Sequence, residues 1–212
     1  MRKLILLVII FLTYSTVFIS TVFADNQKIM PSIESEAAII IDASNGSILY
    51  GKNADKKMYP ASLTKIATAI YAIETASNLK ESVIVSDNAR NVDGTRVYLE
   101  PGEEVPLKKL LQGLLINSGN DAGVAIAEHL HGSVEKFAKE INKYLHNVIG
   151  VKDTHFKNPH GLFDEEHVTT AKDLATITQY AIENRDFLKI FGTKELKWDG
   201  KAWDTTLYSH HK

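Results

Sequence analysis

From Leu107 to Leu130 the apolar residues recur at helical spacing, and a polar tetrapeptide, Asn117-Ser118-Gly119-Asn120, cuts the run in two. Leu107, Leu110, Leu111, Leu114 and Leu115 share one face, and the pattern resumes from Ala122. Such a break predicts two helices meeting at a polar turn, with a hydroxyl and a carboxamide emerging from an otherwise apolar layer. A second helical pattern, Ser62 to Ala76, places Ile66, Ala69, Ile70 and Ile73 on its buried side. Ser133 caps a third, with Val134, Phe137, Ile141, Tyr144, Leu145 and Val148 read as buried and Gly150 as its stop. Thr170-Ala-Lys-Asp173 resembles a capping box that opens a helix to about Glu183.

Strand signals surround these helices. Asn45-Gly46 joins Ala37–Asp42 to Ser47–Tyr50, and both turn residues tolerate positive φ, so a hairpin is predicted. Val83–Val85 reads as a short strand. Asp199-Gly200, between Lys197-Trp198 and Lys201-Ala-Trp203, gives a second hairpin. The fold class is therefore α/β in the α+β sense.

At 212 residues the chain suits one domain or two small ones. Lys and Arg number 24 against 26 Asp and Glu, so no basic excess exists to neutralise a phosphate backbone, and nucleic acid is not an expected partner. The absence of cysteine removes thiol nucleophiles, Cys-ligated zinc and disulfides. Eight histidines form no H-E-x-x-H, and His129-x-His131 would diverge on a helix, so no metal is expected. Neither a G-x-S-x-G elbow nor a phosphate-binding glycine loop is present, and no cofactor is expected.

The N-terminus reads as an export signal. Arg2 and Lys3 precede an apolar run from Leu4 to Leu12, and Val22-Phe23-Ala24 offers a cleavage point, which assigns residues 1–24 to a signal peptide and 25–212 to the exported domain. Left uncleaved, the uncharged stretch to Ala24 is long enough to anchor the chain in a membrane.

Two short constellations carry chemistry. In Ser62-Leu63-Thr64-Lys65 the hydroxyl and the amine lie three apart, on one side of a helical turn, where a lysine of lowered pKa can take the serine proton. The positive end of the helix dipole would contribute to that lowering. The alternative is an N-cap serine beside a solvated lysine. S-x-x-K occurs four times, the others being Ser77/Lys80, Ser133/Lys136 and Ser209/Lys212, and only Ser62 follows a turn at the head of a long apolar helix. Ser118-Gly119-Asn120 is the second constellation. It can relay a proton and hold an amide, or it can simply cap the next helix, as Ser86-Asp87-Asn88 could also do.

Longer stretches resemble the serine-type D-alanyl-D-alanine carboxypeptidases, the low-molecular-weight penicillin-binding proteins of peptidase family S11. They are A-S-L-T-K-I-A-T-A from Ala61, L-L-I-N-S-G-N-D-A from Leu114, A-I-A-E-H-L-H-G from Ala125, D-T-H-F-K-N-P-H-G-L from Asp153 and T-A-K-D-L-A from Thr170. The resemblance covers roughly Glu36 to Lys212. It implies a β-lactamase/transpeptidase-like fold, an antiparallel sheet flanked by helices plus a helical subdomain. It also implies Ser62 as the acyl-enzyme nucleophile, Lys65 as its base, Ser118 as a proton relay, and Asn120 as a substrate-binding group that orders Lys65. The implied partners are peptidoglycan stem peptides ending in D-Ala-D-Ala, and β-lactams, met on the outer side of the cytoplasmic membrane.

The family's third motif, K-T-G or H-T-G, does not occur in these residues. The expectation is therefore of a chain truncated before that motif, with its sheet incomplete and its carboxypeptidase activity low. A class A β-lactamase, using Glu165 or Glu166 to activate water, and a non-catalytic wall-binding fragment are the rival readings.

Overall fold

The computed structural model describes residues 32–209, of which those from Ser35 onward belong to one compact unit. The signal-peptide assignment to residues 1–24 lies outside the described residues. Among the described residues, no helix is long and apolar enough to cross a membrane.

The first predicted hairpin forms as β1 (Ala38–Ile41) and β2 (Ile48–Lys52), antiparallel, with the register slipping between Ile40 and Ile41. Gly46 takes φ +75°, and the Gly46 amide donates to the Asp42 carbonyl at 2.8 Å to close the turn. β3 (Ser82–Ile84) pairs with β4 (Glu104–Pro106), and β5 (Glu195–Asp199) with β6 (Asp204–Tyr208). The expected single sheet is thus present as three separate antiparallel pairs.

Seven α-helices are described. α1 (Thr64–Thr75) follows a 3₁₀ turn, Ala61–Leu63, and α2 (Asp87–Asn91) is capped by the Ser86 hydroxyl. α3 (Leu107–Ile116) and α4 (Asn120–His131) are the two halves of the interrupted run. α5 (Val134–Tyr144) is capped by Ser133 and continues as a π-turn to Ile149, before Gly150 stops it at φ +87°. α6 (Ala171–Ile182) is capped by Thr170, whose hydroxyl accepts from the Asp173 amide, and α7 (Arg185–Phe191) is capped by Asn184. Val148, read as buried, is 55% exposed, because the π-turn shifts the register of the apolar face after Tyr144.

Two apolar clusters make the interior. One gathers Leu107, Leu110, Leu111 and Leu114 of α3 with Ile126 of α4, Phe187 of α7 and Trp198 of β5. The other gathers Tyr71 of α1 with Phe137 and Ile141 of α5, Phe156 and Ile177. Ile66 of α1 packs against both, so α1 is the shared wall between them. Burying these side chains at roughly 1.5–3 kcal/mol each fixes the direction of α1, and with it the turn that precedes the helix.

Candidate active site

The chain reaches Ser62 through a strained turn. Ala61 has φ +48°, a left-handed conformation that costs an alanine roughly 1–2 kcal/mol. Strain of this kind persists only where surrounding contacts impose it. Here the imposing contact is the loop Asn158–Leu162. Gly161, at φ +92°, lies so close to the Ala61 carbonyl that a Cβ would land on it. The loop is itself rigid: Asn158 Oδ1 accepts from the His160 and Gly161 amides at 3.2 and 2.7 Å. The Thr68 hydroxyl of α1 donates to the Pro159 carbonyl at 2.7 Å.

Lys65 is only 3% exposed, so it is no solvated surface lysine. Its Nζ donates to Ser62 Oγ at 3.2 Å and to the His160 carbonyl at 2.8 Å. Neither partner is a carboxylate. Burial therefore pushes the Lys65 ammonium down from 10.5 to about 8. Sequence reasoning credited the helix dipole with part of this; burial is the leading cause in the structure. Thr64 turns to the other side, where His167 holds it. His167 Nδ1 accepts from the Lys157 amide at 3.0 Å, which leaves the proton on Nε2 to donate to Thr64 Oγ1 at 2.8 Å. Burial lowers His167 to about 4. Burial, then the nearby Lys65 charge, lowers His160 to about 3, so both rings are neutral at physiological pH.

From the opposite side the turn between α3 and α4 delivers Ser118, also in a left-handed conformation at φ +59°. Its hydroxyl donates to Ser62 Oγ at 3.1 Å and caps nothing; the residue at the N-cap of α4 is Gly119, which makes no side-chain cap. The capping alternative thus fails for Ser118 and holds for Ser86 and Ser133, whose hydroxyls accept from the Ala89 and Lys136 amides. Ser77 lies just past α1, and Lys212 lies outside the described residues.

Asn120 is buried beside this turn, and its side-chain amide donates to the Asp93 carbonyl at 2.7 Å. That bond ties Asn120 to the segment Asp93–Leu99, whereas the Lys65 bonds run to Ser62 and His160. The same segment receives Asn120 N at the Thr95 carbonyl and Asn117 Nδ2 at the Arg96 carbonyl. Between the two serines lies a cavity of about 220 Å³, lined by Ile66, Leu114, Leu115 and Phe191 as well as Ser62, Lys65 and Ser118. A larger apolar groove of about 400 Å³ runs between β1, α1 and α6, but it holds no nucleophile.

Glu165 and Glu166, the rival water-activating groups, are both exposed on the surface, and Glu166 pairs with Lys157 at 2.8 Å. Among the described residues no cluster of His, Asp or Glu could hold a metal.

His160, Gly161, Thr68 and His167 were not singled out from the sequence. In the sequence, Asn158-Pro159-His160-Gly161 falls only within the family-like stretch from Asp153, with no site role attached. Thr64 and Thr68, one turn apart on a helix otherwise buried through apolar side chains, were the available signal that something polar docks there.

What the arrangement can do is clear. A hydroxyl of ordinary acidity faces an amine that is partly neutral near pH 8, with a second hydroxyl within reach to carry the proton onward. Comparison with known proteins agrees with that chemistry. A profile of the D-alanyl-D-alanine carboxypeptidases of peptidase family S11 matches residues 23–209. The D-alanyl-D-alanine carboxypeptidase DacF of Bacillus subtilis (strain 168) is 39% identical over 166 residues, covering 76% of this chain and 42% of the relative. DacA of Escherichia coli (strain K12) is 34% identical over 217 residues, covering 91% and 54%. Among solved structures, the carboxypeptidase DacD from Francisella tularensis superposes with a TM-score of 0.77 at 33% identity, covering 82% of this chain and 43% of that one. Penicillin binding protein 5 from Haemophilus influenzae gives 0.77 at 31% identity, covering 84% and 53%. The chain spans about half the length of the relatives it matches. With Ser62, Lys65 and Ser118 gathered around one cavity in that shared fold, the chain belongs to the D-alanyl-D-alanine carboxypeptidase family.

Proposed function

We propose that this chain carries the acylating centre of a serine-type D-alanyl-D-alanine carboxypeptidase that trims peptidoglycan stem peptides. The observation that carries the reading is the buried Lys65, which shares the Ser62 hydroxyl with Ser118. Neutral Lys65 takes the Ser62 proton as Oγ attacks the carbonyl of the penultimate D-alanine. The bond to the terminal D-alanine breaks, its nitrogen receives a proton passed through Ser118, and water then hydrolyses the Ser62 ester, with Lys65 again accepting a proton. Asn120 holds the substrate's amide beside the cleft. β-Lactams acylate the same oxygen because their strained amide presents the same carbonyl. Export by the N-terminal signal, to the outer face of the membrane, places the enzyme beside this substrate.

Fluorescent penicillin tests the reading. We expect one covalent adduct, mapped by mass spectrometry to the Ser62 peptide and lost in Ser62→Ala. An adduct that persists in Ser62→Ala would overturn the assignment.

A further inference from the structure

Asp121 is fully buried, and among the described residues its carboxylate makes no hydrogen bond or ion pair to a cation. Burying a carboxylate costs several kcal/mol unless hydrogen bonds compensate. Backbone amides supply them. Val97 N donates to both oxygens at 3.0 and 3.1 Å, Leu99 N to one at 3.1 Å, and Ala122 N to the other at 2.9 Å. Burial still leaves the Asp121 pKa raised, so the fold carries a net electrostatic cost here.

The amides it grips bracket a single residue, Tyr98, which has φ +57° and an exposed ring. A bulky side chain in the left-handed region is a genuine outlier, and one braced by a buried carboxylate is imposed on the chain. The result is to hold an aromatic ring out into water. The ring is one layer of a stack: the Arg96 guanidinium sits 5.4 Å from its centroid on one side, and Trp203 meets it edge-on at 5.1 Å. Arg96 Nη1 donates to the Arg90 carbonyl at 3.1 Å, and its Nε is buried with no hydrogen-bond partner among the described residues. Arg90 pairs with Glu100, but Arg96 has no carboxylate within ion-pairing distance among the described residues. A fixed, uncompensated guanidinium beside an exposed aromatic face is suited to a ligand that is ring-like or chain-like on one side and anionic on the other. Asn117 and Asn120, which flank Ser118, bond to carbonyls of the Asp93–Leu99 segment and so tie the stretch of chain that carries the patch to the turn that carries Ser118.

We propose that Arg96, Tyr98 and Trp203 form a binding platform for the part of a muropeptide upstream of D-Ala-D-Ala: Tyr98 and Trp203 pack against its sugar or aliphatic surface, and Arg96 reads a free carboxylate of the stem. This rests on the stem-peptide reading above, and it names the acidic, non-amidated stem as the preferred substrate.

The test is isothermal titration of the full chain with soluble disaccharide pentapeptide, alongside the same muropeptide with its stem carboxylates amidated. Wild type should prefer the free acid by about fivefold or more, the equivalent of roughly 1 kcal/mol. Arg96→Gln, a change at a partly buried position, should erase that preference while still binding the amidated form. Tyr98→Leu should weaken both ligands, and a thermal melt would separate that effect from misfolding. Equal binding of the two ligands by wild type, or a preference that survives Arg96→Gln, would overturn the platform. Penicillin labelling reads Ser62 independently. Labelling without muropeptide preference sinks only the platform, whereas Arg96-dependent preference without a Ser62 adduct sinks only the catalytic reading.

Discussion

At the scale of single residues, the site works by exclusion of water and not by charge pairing. Lys65 titrates near 8 because it is buried against a hydroxyl and a carbonyl. On the proposed role of Lys65 as base, the reactive form is the neutral amine, whose fraction grows as pH rises toward the pKa. Penicillin acylation should therefore climb about tenfold per pH unit between 5 and 7 and flatten above about 8, as read from labelling rates at fixed ionic strength. A rate flat across that range would show that Lys65 is not the base. Gly161 offers a second check. Its positive φ and its contact with the Ala61 carbonyl leave no room for a methyl group. Gly161→Ala should cut Ser62 labelling by at least about tenfold and also lower the melting temperature, because the added methyl meets backbone at a positive φ.

At the scale of elements, serine hydroxyls of similar sequence context do different work. Ser133 caps α5; Ser133→Ala should cost about 1 kcal/mol in chemical denaturation and leave Ser62 labelling untouched. Ser118→Ala removes a hydroxyl that caps nothing, so labelling should slow with little change in stability. A reversal of these outcomes would mean the two roles were misassigned. The contrast also explains what could be read from the sequence. The break at Asn117–Asn120, the helix after Ser62, the Ser133 and Thr170 caps and the Asn45-Gly46 hairpin were legible, because each depends on residues within one or two turns of each other. The Asp199-Gly200 hairpin also forms, but Lys201–Trp203 lie in its turn and the return strand begins at Asp204. The dock of Asn158–Leu162 onto α1 was not, since residues some ninety positions apart meet there, as Lys65 does the His160 carbonyl. Nor was the pairing of β3 with β4, or α7, whose cap at Asn184 has no long apolar periodicity behind it. The π-turn after Tyr144 displaced Val148 for the same reason: local periodicity cannot register a one-residue insertion.

At the scale of the molecule, the helices are well buried and the β1–β2 hairpin is not. Ile40, Ile48 and Leu49 of the β1–β2 hairpin are about half exposed, beside the apolar groove of about 400 Å³ against α1 and α6. Exposed strand edges and apolar faces invite association. The chain should bind a hydrophobic dye in its native state, and Ile48→Lys with Leu49→Lys should reduce both dye binding and light scattering at high concentration. No dye binding by the native chain would show that the groove is covered in solution. The α3–α4 core behaves differently. Trp198 is fully buried against Gly113, and Trp198→Ala should cost about 3–5 kcal/mol, measured by urea denaturation.

The chain's two tryptophans both belong to the β5–β6 hairpin, Trp198 beneath it and Trp203 at its turn. Intrinsic fluorescence therefore has only this one vantage point. An emission shift to the red on denaturation reports the hairpin lifting from α3 and is blind to the Ser62 cleft. Quenching without such a shift, on adding muropeptide, would be the optical signature of a ligand resting on Trp203 while Trp198 stays in place.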